Sequence, residues 1–326
     1  MKNKLLLLFF LLGVFFPLSA QESEVLISTS HTSLLLSTSQ GGELKFLYYG
    51  RKLTDADVHA IVSTESGSFS AYPVYGLNCP SESALSVQHE DGNMTLQMEV
   101  IGVETTHQEK ANLTVISLKD KVYPFYVKLC YKAYQDVDVI EAWTEISHKE
   151  KKNVKLNQFA SAYLPVRKGN VWLSSLYGAW ANEARLVQEP LEPGMKVIKN
   201  KDGVRNSHTA HAEVMFSLDG QPRENSGRVI GAALCYGGNY KLRIDTDESE
   251  YHHFYAGINE DNSVYHLKSG EVFKTPELAL TYSDEGLSGG SRNFHRWART
   301  YKLANGDKLR KILLNSWEGV YFKINE

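Results

Sequence analysis

The chain has 326 residues, 42% hydrophobic and 22% charged, with a formal net charge of −3. That balance fits a folded globular protein and lacks the basic footprint of a nucleic-acid binder. Three cysteines, Cys79, Cys130 and Cys235, cannot all pair, so disulfides are not the framework, and their spacing offers no metal site.

Residues 1–20 carry Lys2 and Lys4, an apolar run from Leu5 to Leu18, and Ser19-Ala20 before Gln21. This is the pattern of a secretory signal, and the run is shorter than the ~20 residues of a membrane span. The mature protein is expected to begin near Gln21 and to be exported, to the periplasm or the medium. No other stretch is apolar enough to span a bilayer.

The body reads as many short strands with turns between them. VLISTS, TSLLLSTS, ELKFLYYG, LTVISLKD, FYVKLCYKAY, VIEAWTEISH and KLNQFASAYLPV follow one another without a linker. Gln40-Gly41-Gly42 and Glu90-Asp91-Gly92-Asn93 read as hairpin turns between alternating runs. Around residues 126–134, Val127, Leu129 and Tyr131 alternate as in a half-buried antiparallel strand. Residues 24–284 therefore predict a mainly β protein, a large antiparallel sandwich with more strands than an immunoglobulin-size unit. Cys130 and Cys235 lie in apolar strand patterns and read as buried free thiols.

Helical periodicity is visible only late. After the breaker Gly289-Gly290, residues Phe294, Trp297, Ala298 and Tyr301 share one helical face, while Arg292, Arg296 and Arg299 fall elsewhere. The last stretch is KILLNSWEGVYFKINE. Ile312, Leu313 and Leu314 form an apolar run of strand length that breaks at Asn315, Ser316 and Trp317. It reads either as a buried parallel strand opening an α/β barrel or as a strand closing the sandwich with Trp317 in the core.

No titratable cluster makes a catalytic case. Asp55 and Asp57 in LTDADV read as a solvated pair, and Glu213, Asp245 and Asp247 are no stronger. His208 and His211, beside Ser207, lack a third ligand at a telling distance and read as hydrogen-bonded structural groups. His252 and His253 point to opposite faces of an extended chain. No base lies in reach of a nucleophile, and no glycine-rich loop opens a helix. The expectation is no catalytic residue, no metal site and no cofactor in this chain.

The motifs carry a family resemblance. NSWEGVYF (residues 315–322) resembles the NNWEATYF signature that opens the catalytic barrel of glycoside hydrolase family 36, mostly α-galactosidases. GVRNSHTAHAEVMF (203–216), GRVIGAALCYGGN (227–239) and SGEVFKTPELALTYSDEGL (269–287) are similar to further stretches of that family, in order and at the right spacing. The resemblance implies an N-terminal β-supersandwich at residues 21–286, a helical linker at 287–310, and the first strand of a truncated (β/α)8 barrel at 311–326. It implies a retaining glycosidase acting on α-galactosides, with both catalytic aspartates beyond Glu326. It makes Trp317 a substrate-binding residue beside the galactose, and it implies a homo-oligomer formed through the sandwich.

Two departures from the family stand out. Ser316 replaces an asparagine. The segment FSAYPVYG (69–76) is much shorter than the family's loop; Ser66, next to Glu65, stands where an aspartate would be, and Asn78-Cys79-Pro80-Ser81 replaces Gly-Asp-Phe-Arg. The residues of the family's subunit-crossing contact are thus not kept. The chain reads as the N-terminal part of an exported α-galactosidase, inactive alone, or else as a stand-alone carbohydrate-binding or structural sandwich.

Overall fold

The computed structural model describes residues 23–64, 69–76, 82–205 and 208–325. The expected signal segment lies outside them, as do Glu65, Ser66, Asn78-Cys79-Pro80-Ser81 and Ser207. No described helix is long and apolar enough to cross a membrane.

Among the described residues the strands form four sheets, and every named strand pair is antiparallel. The largest sheet has ten strands. Its order runs from an edge at Asn182–Pro190 through Trp172–Ala179, Ala210–Ser217, Val229–Leu234 and Leu278–Ser283. It continues through Val139–His148, Phe125–Tyr134 and Ala111–Asp120 to the other edge, Met98–His107; Val272–Lys274 pairs beside Val139–His148. A four-stranded sheet of Ala162–Val166, His252–Ile258, Tyr240–Thr246 and Gly194–Lys199 faces it. The Phe216 and Phe254 rings meet edge to face at 5.1 Å, one from each of these two sheets. Leu85–Gln88, Val154–Phe159 and Tyr265–Leu267 make a three-stranded sheet, and Ser23–Ser28 to Phe69–Ser70 a second four-stranded one. Leu36, Leu85, Leu156, Ile146, Phe216 and Phe254, drawn from all four sheets, belong to one continuous core.

The antiparallel sandwich is therefore as the alternating runs predict. Phe125, Val127 and Leu129 turn inward while Lys128 faces solvent. Gln40-Gly41-Gly42 does close a hairpin: Ser39 N donates to Glu43 O at 2.9 Å, and Gly42 takes φ 81° there.

Four expectations are corrected. Glu90–Asn93 is a turn, with His89 N donating to Asn93 O at 2.8 Å, but it closes no hairpin. Leu85–Gln88 pairs with Val154–Phe159, and Met98–His107 with Ala111–Asp120. The first strand is drawn to the Val154 side by a buried pair: His89 Nδ1 donates to Glu150 Oε1 at 2.7 Å, and the imidazole stacks on Tyr123 at 3.7 Å.

Cys130 is buried, but Cys235 lies one residue past the end of Val229–Leu234 and is exposed. An early helix, Asp55–Thr64, is also present. It buries only Val58, so no apolar stripe announces it in the sequence.

The late helix runs Gly286–Trp297, so Gly289 and Gly290 lie inside it instead of before it. Close packing explains this. A Cβ on Gly289 would sit 2.0 Å from Ser283 Oγ, and one on Gly231 of the sheet would sit 2.7 Å from the Phe294 ring. The helix continues as a π-helical turn, Ala298–Lys302. Trp297 packs with Tyr134, Val139 and Ala279, joined by Phe294, Ala298 and Tyr301, the face the periodicity predicts. Asn293 is buried and donates to Thr281 Oγ1 at 2.9 Å.

Candidate functional site

Beyond Lys302 the chain runs without regular structure to a single helical turn, Trp317–Val320. Ile312, Leu313 and Leu314 are fully exposed, Leu313 and Leu314 at 88% each. They do not close the sandwich, which corrects the second reading of this run; the first needs flanking barrel strands, and none is among the described residues. A parallel strand needs paired neighbours on its flanks, and the named strands here already pair antiparallel among themselves, so the backbone of this run is left to water.

Trp317 is 47% exposed, and its amide donates to Asn315 Oδ1 at 3.0 Å. Tyr321 and Phe322 meet its ring edge-on, at 5.5 and 4.8 Å. The three rings form a small aromatic cluster with the indole about half exposed. An indole face can bury the C–H side of a pyranose.

A cleft of about 760 Å³ lies between the helix Gly286–Trp297 and the ten-stranded sheet. Leu176, Leu186 and Met215 give it an apolar floor, and Glu213, Arg292 and His295 its polar rim. Arg292 is tied to Glu285 at 2.6 Å, and His211 Nδ1 lies 3.4 Å from Glu213. The cleft was not legible in the sequence because its walls come from strands about 40 residues apart and from the helix.

Asp57, Asp247, His252 and His253 turn out to be structural. Asp57 sits in the first turn of Asp55–Thr64, where Thr54 N and Oγ1 donate to its Oδ2 at 2.9 and 2.7 Å. Those bonds hold its carboxyl below the usual range. Thr54 Oγ1 in turn accepts from Asp57 N at 3.3 Å, making a capping box. Thr-Asp-Ala-Asp was the available signal for that helix.

Asp247 shapes a turn: its Oδ1 accepts from Ser249 N and Tyr251 N at 2.8 and 2.9 Å. Its Oδ2 meets His253 Nε2 at 3.1 Å, and His253 Nδ1 bonds the Tyr163 hydroxyl at 2.7 Å. His252 faces the other way, toward Thr246 Oγ1 and Gly169 O at 2.8 and 2.9 Å. Burial lowers its pKa. His208 is exposed and His211 partly so. Among the described residues no three His, Cys, Asp or Glu side chains are grouped to hold a metal.

Comparison with known proteins decides the family. The model described as glycosyl hydrolase family 36 N-terminal domain matches residues 42–268, and the melibiase model matches residues 272–326. The chain belongs to glycoside hydrolase family 36. Its relatives in this family include α-galactosidase Mel36A of Lactobacillus acidophilus, 32% identical over 224 residues, covering 68% of this chain and 30% of that protein. α-Galactosidase AgaA of Geobacillus stearothermophilus is 30% identical over 273 residues, covering 78% of this chain and 37% of AgaA. A crystal structure of an AgaA variant in complex with raffinose superposes with a TM-score of 0.84 at 25% identity, over 93% of this chain and 47% of that one. The chain thus spans about a third of the length of the curated family 36 relatives it matches.

Proposed function

We propose that this chain is the N-terminal part of an exported α-galactosidase, a retaining glycosidase releasing terminal α-galactose from oligo- or polysaccharides. Residues 21–286 are its supersandwich, 287–310 its linker and 311–326 the opening of its barrel. The observation that carries the reading is the melibiase match over residues 272–326, which runs through the helix into the Trp317 segment. The half-exposed indole of Trp317, flanked by Tyr321 and Phe322, is the aromatic surface that would meet galactose.

Retaining hydrolysis needs two carboxyl groups about 5–5.5 Å apart. The carboxylates described above are spent on caps, turns and ion pairs. The catalytic pair belongs to the barrel beyond Glu326, so this chain alone does not turn over galactosides. The exposed Ile312–Leu314 run gains partners only within that barrel. The test uses a chromogenic α-galactoside and raffinose with two proteins, this chain and the natural gene product read through the codon for Glu326. Turnover is expected from the second alone. Turnover by this chain, or a gene product without barrel and paired aspartates, overturns the reading. A signal ending at Ala20 predicts Gln21 as the first residue of the exported form, and Edman sequencing that returned Met1 would refute export by this route.

A further inference from the structure

The cleft beside the helix Gly286–Trp297 has two unlike walls. On the helix, Ser288, Ser291, Arg292 and His295 stand at i, i+3, i+4 and i+7, a single polar stripe, and all four line the cleft. On the sheet, Leu176 and Leu186 lie directly opposite each other in register, and Met215 completes an apolar floor. Glu213 stands two residues before Met215 on the same strand, so the two share a face. Glu224 also lines the cleft, and the Ser288 hydroxyl donates to it.

The volume, about 760 Å³, is that of a small-molecule site. The chemistry of the walls narrows the occupant. A fatty chain would cover Glu213 and Arg292 without giving either a partner, and unpaired polar groups oppose burial. An anion would face Glu213 and Glu224, and a cation would face Arg292. A neutral molecule with donors and acceptors on an apolar frame satisfies both walls. Carboxylates accept, the guanidinium donates, and the serine hydroxyls do both. A saccharide has that make-up, with C–H faces for Leu176, Leu186 and Met215 and hydroxyls for Glu213 and the helix stripe.

We propose that this cleft is a non-catalytic oligosaccharide site that holds galactosides against the sandwich. The choice of galactosides rests on the α-galactosidase reading; the site itself rests on the two walls. Trp317 is not among the residues that line it. Arg292 is steadied at the cleft by Glu285, which accepts from its guanidinium at 2.6 Å. Ser291 Oγ and His295 Nε2 lie 3.5 Å apart, a weak bond to each other and a ready pair for neighbouring sugar hydroxyls. Glu213, Arg292 and His295 are exposed, so a bound sugar stays partly in water and exchanges fast.

Calorimetric titration of raffinose and stachyose into the purified chain tests this, with saturation-transfer NMR on the same samples. Saturable binding is expected, and Trp317→Ala should retain it. Glu213→Ala removes an acceptor and Arg292→Ala a donor. Both positions are exposed, and circular dichroism checks the fold. Each change is expected to weaken binding roughly tenfold. No saturable binding by either sugar overturns the proposal. So does binding that Glu213→Ala and Arg292→Ala both leave unchanged, or binding that Trp317→Ala abolishes, which would put the sugar on the tail. Binding of dodecylamine or dodecanoate with none of either sugar also overturns it, since the cleft would then hold an amphiphile. Turnover of raffinose by the read-through gene product is a separate result: where it stands and this binding fails, the second site alone falls.

Discussion

Lys302 places its ammonium on the buried carboxylate of Glu141. Glu141 lies in a central strand of the large sheet and is 3% exposed; Tyr134 Oη also donates to it, at 2.9 Å. Lys302 lies 5.3 Å from the Trp297 ring centre, so one side chain ties the π-helical turn to both the helix and the sheet. Removing one partner of a buried pair leaves the other charge unpaired, at about 3–5 kcal/mol. Lys302 keeps partial access to water, so Lys302→Met is expected to cost less, about 2 kcal/mol. Glu141→Gln in the same background should return part of that loss. Urea unfolding of the two variants and the wild type measures both.

Gly231 lies under Phe294, with space for no side chain. Gly231→Ala forces the ring outward and is expected to destabilise by about 1–3 kcal/mol, the usual cost of overpacking. Trp297 is on the same helix, so its fluorescence should shift toward an exposed indole. Gly319→Ala, where an added Cβ meets nothing within 4 Å, is the control and should leave both readings unchanged.

Asp261 accepts from Lys199 at 2.5 Å and from Lys241 at 3.1 Å, and these bonds bring its pKa down to about 2 from an ordinary 3.8. A carboxyl with a lowered folded pKa stabilises above its unfolded value and loses that contribution as pH falls through its folded value. Asp261→Asn should therefore be less stable than wild type at pH 7, by under about 1 kcal/mol because the site is largely solvated. The gap should close between pH 3.8 and about 2. Thermal melts at stepped pH check the window.

Cys130 is buried on the strand face opposite Val127 and Leu129, and burial pushes its thiol up to about 12. Iodoacetamide at pH 8 should leave it unmodified in the folded chain and modify it in urea, as read by peptide mass spectrometry. Labelling of the native protein at Cys130 would mean that the large sheet opens locally.

Trp317→Ala should leave the stability of this chain within about 0.5 kcal/mol, because the ring is half exposed and meets Tyr321 and Phe322 of its own segment. In the full-length protein, under the proposed α-galactosidase function, the same change should raise KM for raffinose. A stability loss of several kcal/mol here would instead mark Trp317 as core.

How much was legible follows from where the information sits. Alternation along FYVKLCYKAY shows a strand because each inward side chain meets the core directly. Alternation does not say which strand is the neighbour, and Leu85–Gln88 was misjudged there. Its partner depends on Glu150, sixty-one residues from His89. The helix face of Phe294 and Trp297 was visible; its true start at Gly286 was not, because glycine reads as a breaker until Ser283 and Phe294 show why nothing larger fits. Asp55–Thr64 hid for the opposite reason, having almost no buried face, although its capping box was written in plain sequence. At the candidate site, Trp317 could be named from a motif alone. The cleft could not, since only the finished sheet brings Leu176, Leu186 and Glu213 opposite Ser291 and Arg292.

The seat of the helix Gly286–Trp297 has a mechanical consequence. It rests across the middle of the large sheet, on Ala210–Ser217, Val229–Leu234, Leu278–Ser283 and Val139–His148, each hydrogen-bonded on both sides. Gly231 lets Phe294 sink into that surface, and Lys302 pins the far end to Glu141. A pull or twist applied to the chain after Lys302 is therefore spread over four strands in the middle of the sheet, not concentrated on a fraying rim. The sandwich acts on that side as a rigid mount, and whatever is carried there inherits its orientation.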